Sequence, residues 1–441
     1  MTRQTRQRFA SAFSFWWFLA VVILAPLPYG SAHLWSYSLL SILVGISLIL
    51  WAVAAFLDEP LYAMDVEYYR VPAVLLAIVL AWVFVQGSPA VPQSLHHPLW
   101  AELRSILDNP SIPGSISLNP DGTPLLFARL GTYAAVFWLA MQYGRSARRS
   151  SIIFWAIAIA GAIYALYGIW AHLSGSGKIL FADKWAYNQS LTSTFVNRNH
   201  YAVFAGMGLV TSCALTIKYL KRDMVGALDS PSRFINSLEH LSLRLVVLVF
   251  ISIVIASALL LTQSRGGSIV TASGLLVLIL LLRTGGTLGR RSTLGLMGVI
   301  AATGLIVFAF SGGGLASRVA DSLLSNDRIL IHDVAIDAIF DAPLAGHGAG
   351  TFPAVFHLYR GADFPAISPA FASAHSVYLE FAAELGLVAA GLYFGMLLLI
   401  VARCFIGARQ RHRHHIYPAA GGAIGALIAF HSYFDFGPQI P

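Results

Sequence analysis

Apolar residues along this chain come in continuous runs, without the two-residue alternation of membrane β-strands, and the runs recur from end to end. They fall at 12–29, 35–57, 71–87, 125–144, 151–173, 199–219, 245–263, 267–283, 294–311, 376–404 and 416–434. Each is long enough as a helix to cross roughly 30 Å of hydrocarbon. Lipid offers no water to backbone polar groups, so helices are the expected form. The pattern predicts an all-α polytopic membrane protein, a single integral domain over 1–441 with about eleven transmembrane helices. The first run follows Arg3, Arg6 and Arg8 and resembles a signal peptide, but a second run follows at once, so an uncleaved first helix is expected.

Between the runs, three polar segments are long: 88–124, rich in Pro, Ser and Asn; 174–198; and 312–375. In the last, "SRVADSLLSNDRILIHDVAIDAIFDAPLAGHG" repeats apolar residues at three- and four-residue steps, which predicts helix inside a long loop before the final spans. Gly346, Gly348 and Gly350 then break it. The basic loop 220–244 reads as a helix lying on the inner leaflet. "RQRHRHH" at 409–415 has no carboxylate or thiolate companions and reads as a cytoplasmic anchor rather than a metal site.

Composition sharpens this picture. The chain is 57% hydrophobic and 11% charged, with a mean hydropathy of +0.71. Its formal net charge is +8. Lys and Arg concentrate in alternate loops, which by the positive-inside rule puts the N-terminus in the cytoplasm. The excess charge is then a topology signal whose partner is membrane lipid, not nucleic acid. Cys213 and Cys404 lie inside apolar runs and say nothing of redox compartment.

Three polar clusters share one topological address, the outward end of a helix start: "FVNRNHY" at 195–201, "TQSRGGS" at 262–268 and "SAHSVYLEFAAEL" at 373–385. A helix N-terminus offers unpaired N–H groups and about half a positive charge, which favours anions. Arg198 and Arg265 add a guanidinium to two such starts, flanked by Asn197 and Asn199 in one and by glycines in the other. A single arginine at a helix end commonly snorkels and does nothing else. Two of them, embedded in Asn, Ser and Gly, point to a phosphate or diphosphate between them. The glycines of "SRGGS" are expected to let the backbone turn tightly and approach the ligand.

His375 precedes a helical apolar segment, whose dipole favours the neutral ring, and it can act there as general base toward a hydroxyl. Glu380 and Glu384 follow on one helix face; Glu380 orients a sugar or the histidine, or either pairs with an arginine. His200, His332, His347 and His357 read as ordinary hydrogen-bonded or interfacial histidines. No HExxH, phosphate-binding loop, CxxC pair or acidic metal cluster occurs on the outward face, so no metal or other cofactor is expected and fixed arginines would stabilise a departing diphosphate.

Five stretches resemble the O-antigen ligase superfamily, which includes O-antigen ligases, Wzy-type polysaccharide polymerases and bacterial O-linked oligosaccharyltransferases: "TSTFVNRNHYA", "LLTQSRGG", "NDRILIHDVAIDAIFDAPLAGHGAGTF", "SAHSVYLEFAAELGLVAAG" and "HSYFDFGPQIP". They come in the family's order, with the core of the resemblance over 192–391. The resemblance implies a GT-C-like inner-membrane glycosyltransferase facing the periplasm, with an undecaprenyl-diphosphate-linked glycan as donor. Lipid A–core or a second lipid-linked glycan would be the acceptor, with a protein acceptor as a third branch. It assigns the diphosphate to Arg198 and Arg265, the role of base to His375, and a role without a specific assignment to Arg328. The transfer would be metal-independent and inverting. Ser376 stands where many members carry Asn, and members usually continue past "QIP" into a further apolar helix, giving eleven or twelve spans. The competing class, a transporter or flippase of the same lipid-linked sugar, predicts mid-membrane charges, interrupted helices and paired halves, whereas the polar residues here gather at one face and no repeat is found.

Overall fold

The computed structural model describes residues 3–57, 69–223, 242–310, 326–361, 373–411 and 413–435. Fifteen α-helices account for nearly all of the ordered backbone among them. In chain order these are α1 (Arg3–Leu24), α2 (Leu34–Leu57), α3 (Arg70–Gly87), α4 (Pro98–Ile106), α5 (Thr123–Gly144), α6 (Ala147–Leu173), α7 (Arg198–Asp223) and α8 (Leu243–Leu261). There follow α9 (Arg265–Thr284), α10 (Arg290–Phe310), α11 (Asn326–Asp341), α12 (Phe352–Tyr359), α13 (Val377–Leu385), α14 (Leu387–Gln410) and α15 (Ile416–Phe434). A two-stranded antiparallel hairpin, β1 (Lys178–Ile179) with β2 (Ala182–Asp183), is the exception.

The protein is an all-α polytopic membrane protein. Eight of its described helices, α2, α3, α5, α6, α7, α8, α9 and α14, are long and apolar enough to cross a membrane. Helices also occupy the other predicted runs as α1, α10 and α15, but the apolar part of α1, Phe9–Leu24, is shorter than a full span. The first run was expected to reach residue 29; Pro26 and Pro28 end its helix at Leu24, because proline supplies no N–H to continue the ladder.

Packing centres on α7, which touches α6, α8, α9 and α15. More than half of its apolar window is buried, a larger share than in any other candidate span among the described residues. The reason is its composition. Ala202, Ala205, Gly206, Gly208 and Ala214 leave room for close approach, and small residues at helix interfaces substitute for the hydrophobic drive that lipid removes.

The predicted run 376–404 is two helices, not one. Gly386 sits at φ +80° between α13 and α14, and a Cβ there would collide with the Leu344 carbonyl. The backbone groups freed by this break are bonded sideways. Gln86 on α3 donates to the carbonyls of Ala345 (2.7 Å) and Glu384 (2.9 Å), Trp82 Nε1 donates to Leu385 (2.8 Å), and Leu387 N donates to Pro343 (2.8 Å). Irregular backbone at membrane depth persists where protein satisfies it. The predicted helix in the long loop appears as α11 and α12; residues 311–325 and 362–372 of that loop, and 224–241 of the basic loop, lie outside the described residues.

Candidate active site

Residues 190–197 reach the start of α7 by a buried path. Ser193 Oγ donates to the Tyr164 carbonyl (2.7 Å) and Thr194 Oγ1 to the Pro26 carbonyl (2.7 Å), so this segment is tied to α6 and to the end of α1. Asn197 then caps the helix: its Oδ1 accepts from Asn199 N at 2.8 Å, which satisfies one of the donors that a helix start leaves open. Asn197 is thereby a cap.

Arg198, the first residue of α7, is half-buried and donates to Ser190 Oγ at 3.2 Å, with its guanidinium 5.5 Å from the centre of the Tyr187 ring. Its Nε is buried without an acceptor among the described residues. Tyr187, Asn188, Gln189, Ser190, Arg198 and Gln263 together line a pocket of about 300 Å³. The pocket is rich in donors, and none of its side chains is acidic.

The start of α9 is joined directly to that of α7. Ser264 caps α9 by accepting from Gly267 N (3.1 Å) and donates its own hydroxyl proton to Asn199 Oδ1 (2.8 Å). Arg198 and Arg265 are the sequence neighbours of these two hydrogen-bonded residues, so one bond brings both arginines to the same end of the bundle. The two glycines of "SRGGS" are helical and do not form the expected tight turn. Both lie in the first turn of α9; a Cβ on Gly267 would strike the Ala202 side chain, whereas one on Gly266 would meet open space. Gly267 serves helix packing, and the turn into the helix is made by Gln263, at φ +53°.

His375 stands one residue before the cap of α13, in a left-handed backbone conformation (φ +52°) that histidine adopts more readily than bulkier residues but that still stores strain. Glu380 holds the loop in that shape. Its Oε2 accepts from Ser373 Oγ (2.7 Å) and Ala374 N (2.8 Å), and Ser373 Oγ in turn accepts from His375 N (3.2 Å). Glu380 is thus bonded to the backbone of the loop that carries the histidine. Glu384 accepts from Phe352 N (2.9 Å) and so anchors the start of α12.

The partner of the His375 ring comes from the chain's last described residue. Asp435 Oδ1 lies 3.3 Å from His375 Nδ1, and Asp435 Oδ2 accepts from Asn199 Nδ2 at 2.8 Å. Burial would raise the Asp435 carboxyl, but the His375 hydrogen bond and the nearby imidazoles of His200, His375 and His431 outweigh it and hold the group well below the usual carboxylate range. An ionised carboxylate only accepts, so Nδ1 of His375 carries a proton and Nε2 is the nitrogen left to exchange one. Asp435 is 3% exposed and the His375 side chain 25%, so the carboxylate is sealed while the ring keeps an open side. One chain of contacts, Ser264–Asn199–Asp435–His375, therefore connects all three polar clusters of the sequence.

Asp435 was not among the residues singled out from sequence, although "HSYFDFGPQIP" contains it. An acidic residue following an apolar helix carries no local signal; only the return of α15 to α7 and α13 reveals its partner. Ser264 was likewise hidden, since a serine before a helix reads as a cap alone. His347 is bonded as expected, its Nε2 to the Ala338 carbonyl (2.9 Å) and its Nδ1 to His97 Nε2 (3.1 Å), and His357 is exposed on α12. The side chain of Arg328, near the start of α11, lies outside the described residues. Among the described residues no group of three or more His, Cys, Asp or Glu is arranged to hold a metal ion.

Residues 248–394, a third of the chain, match the family described as O-antigen ligase. The match contains Arg265, His375 and Glu380; Arg198 and Asp435 fall outside it but are tied to it by the contacts above. Among curated proteins none matches the chain.

Proposed function

Taking the chain as a member of the O-antigen ligase superfamily, through residues 248–394, we propose that it is a glycosyltransferase of the inner membrane that works on the periplasmic side. It moves a glycan from undecaprenyl diphosphate to a hydroxyl of lipid A–core or of a second lipid-linked glycan. The observation that carries this reading is the Asp435–His375 pair, joined through Asn199 to the two helix starts that bear Arg198 and Arg265.

The chemistry follows from these positions. The donor diphosphate occupies the positive end of α7 and α9, where Arg198 offers its buried Nε and the two helix dipoles add to the field. The acceptor hydroxyl loses its proton to Nε2 of His375 while its oxygen attacks the anomeric carbon from the side opposite the diphosphate. The bond from that carbon to the diphosphate oxygen breaks, the configuration inverts, and undecaprenyl diphosphate leaves with its charge met by the arginines. Asp435 stabilises the imidazolium that forms, without taking the proton itself. No step requires a metal ion.

The test is the surface and lipid-linked polysaccharide of a strain lacking the gene, complemented with wild type or His375→Ala. Full-length chains stranded on undecaprenyl diphosphate identify a ligase, and single repeats reaching the acceptor identify a polymerase. Full rescue by His375→Ala would overturn the assignment of the base.

A further inference from the structure

A second feature lies at the far end of the bundle. From Arg198 to Tyr219 along α7 is about 32 Å at 1.5 Å per residue, a full membrane thickness away from the His375 cluster. Here residues of α1, α6, α7 and α8 line a groove of about 810 Å³. Its walls are apolar, including Trp16 of α1 and Trp155, Ile159 and Ile163 of α6, and its mouth carries Arg148 and Arg244.

These two arginines differ from their neighbours. Arg222 pairs with Asp223 at 3.1 Å, and Arg149 donates to Ser11 Oγ at 2.7 Å. Arg148 and Arg244 are exposed and form no ion pair or hydrogen bond among the described residues; Arg244 rests only near the Tyr219 ring, 5.9 Å from its centre. Tyr219 itself is fixed by Trp155 Nε1, which donates to its hydroxyl at 3.3 Å. Two cations from different helices thus converge on one opening. From Arg148 to Ile163 the groove follows α6 for about 22 Å, enough to pass through a head-group layer and one leaflet of about 15 Å.

We propose that this groove is a binding site for one anionic phospholipid of the leaflet opposite the active site. Its phosphate lies between Arg148 and Arg244, and one acyl chain runs along α6 past Trp155 and Ile159. Charge complementarity selects the head group, since each basic residue near an anionic surface contributes about 1 kcal/mol. The apolar length selects a lipid over a free phosphate, which would leave the groove empty below the arginines. The polyprenyl donor is excluded as occupant, because its diphosphate belongs at the other face.

The test uses the full chain in detergent and native mass spectrometry with phosphatidylglycerol and phosphatidylcholine at equal concentration. Wild type should retain one phosphatidylglycerol with a preference of about tenfold or more over phosphatidylcholine. Arg148→Gln with Arg244→Gln should abolish that preference, while Arg403→Gln with Arg409→Gln, a basic pair on α14 outside the groove, should leave it intact. Ile159→Trp narrows the groove without touching the arginines and should lower retention of the lipid. Equal retention of the two lipids by wild type, wild-type behaviour of the Arg148/Arg244 variant, or unchanged binding in Ile159→Trp would each overturn the proposal. The first two remove the head-group contact and the third the acyl-chain path.

Discussion

The Asp435 carboxylate meets His375 Nδ1 at 3.3 Å, sixty residues along the chain, and with its other oxygen accepts from Asn199, which belongs to a different helix start. This fixes the ring's tautomer and places the proposed base near the arginine-bearing ends of α7 and α9. Asp435→Asn keeps the shape but removes the charge and turns one of the two acceptor oxygens into a donor, so it no longer accepts from both His375 Nδ1 and Asn199 Nδ2. It should lower kcat by about 10²–10⁴ while the KM for the lipid-linked donor changes little. An unaltered kcat would show that the pair is structural only.

For the arginines, Arg265→Ala should abolish transfer with the protein still inserted, because a positive charge at the start of α9 is lost where the proposed diphosphate leaving group would be held. Arg198→Lys keeps charge but cannot present the planar fork, so donor binding should weaken by roughly tenfold. Titration with the lipid-linked donor, alongside a transfer assay, separates the two effects. Wild-type activity in Arg265→Ala would remove the diphosphate role.

Glu380→Ala leaves the Ser373 hydroxyl and the Ala374 N–H without their acceptor in a buried loop, at a cost of about 1–3 kcal/mol. Turnover should collapse with the left-handed conformation of His375, while the thermal midpoint falls only modestly. Glu380→Gln retains an acceptor oxygen and should recover part of the activity. Equal activity in all three proteins would show that the loop does not depend on this latch.

The paired glycines of "SRGGS" give a sharper contrast. Gly266→Ala faces open space within a helix and should be neutral or stabilising by up to about 1 kcal/mol. Gly267→Ala pushes α9 away from Ala202 and should disrupt both folding yield and transfer. Loss of activity at both positions without loss of fold would restore the expectation that each approaches the ligand.

His97 and His347 make a titratable contact where acid should loosen the loops that carry them. His347 Nε2 donates to Ala338, so its Nδ1 accepts from His97 Nε2, and His97 Nδ1 accepts from Leu99 N. Each ring holds one proton, and a second on either would set N–H against N–H. Burial, with His347 next, lowers His97 to about 4, and burial also lowers His347. A depressed histidine contributes its stability above the unfolded value of about 6.5 and loses it as the pH falls toward 4. The protection factors of amides in residues 93–118, referred to intrinsic exchange at each pH, should therefore fall several-fold between pH 7.5 and 5, and His347→Gln should flatten that dependence. No pH dependence in wild type would contradict the clasp.

The order of membrane helices, the polar clusters at their starts and the candidate roles of Arg198, Arg265 and His375 were open to reading in the sequence, because apolar periodicity and helix-end chemistry are local properties. The same locality set its limits. The break at Gly386 was invisible in an unbroken apolar run, since it depends on Gln86, Trp82 and the 343–348 turn bonding to carbonyls far away in sequence. Glycines that looked like ligand approaches include one that admits a neighbouring helix. Asp435 acquired its partners, and Ser264 its link to Asn199, only when α15 and α9 packed against α7. A hydrogen bond between residues 236 positions apart, as for Asn199 and Asp435, leaves no trace in local spacing, so the sequence determined which residues were available and the packing of helices decided which of them meet.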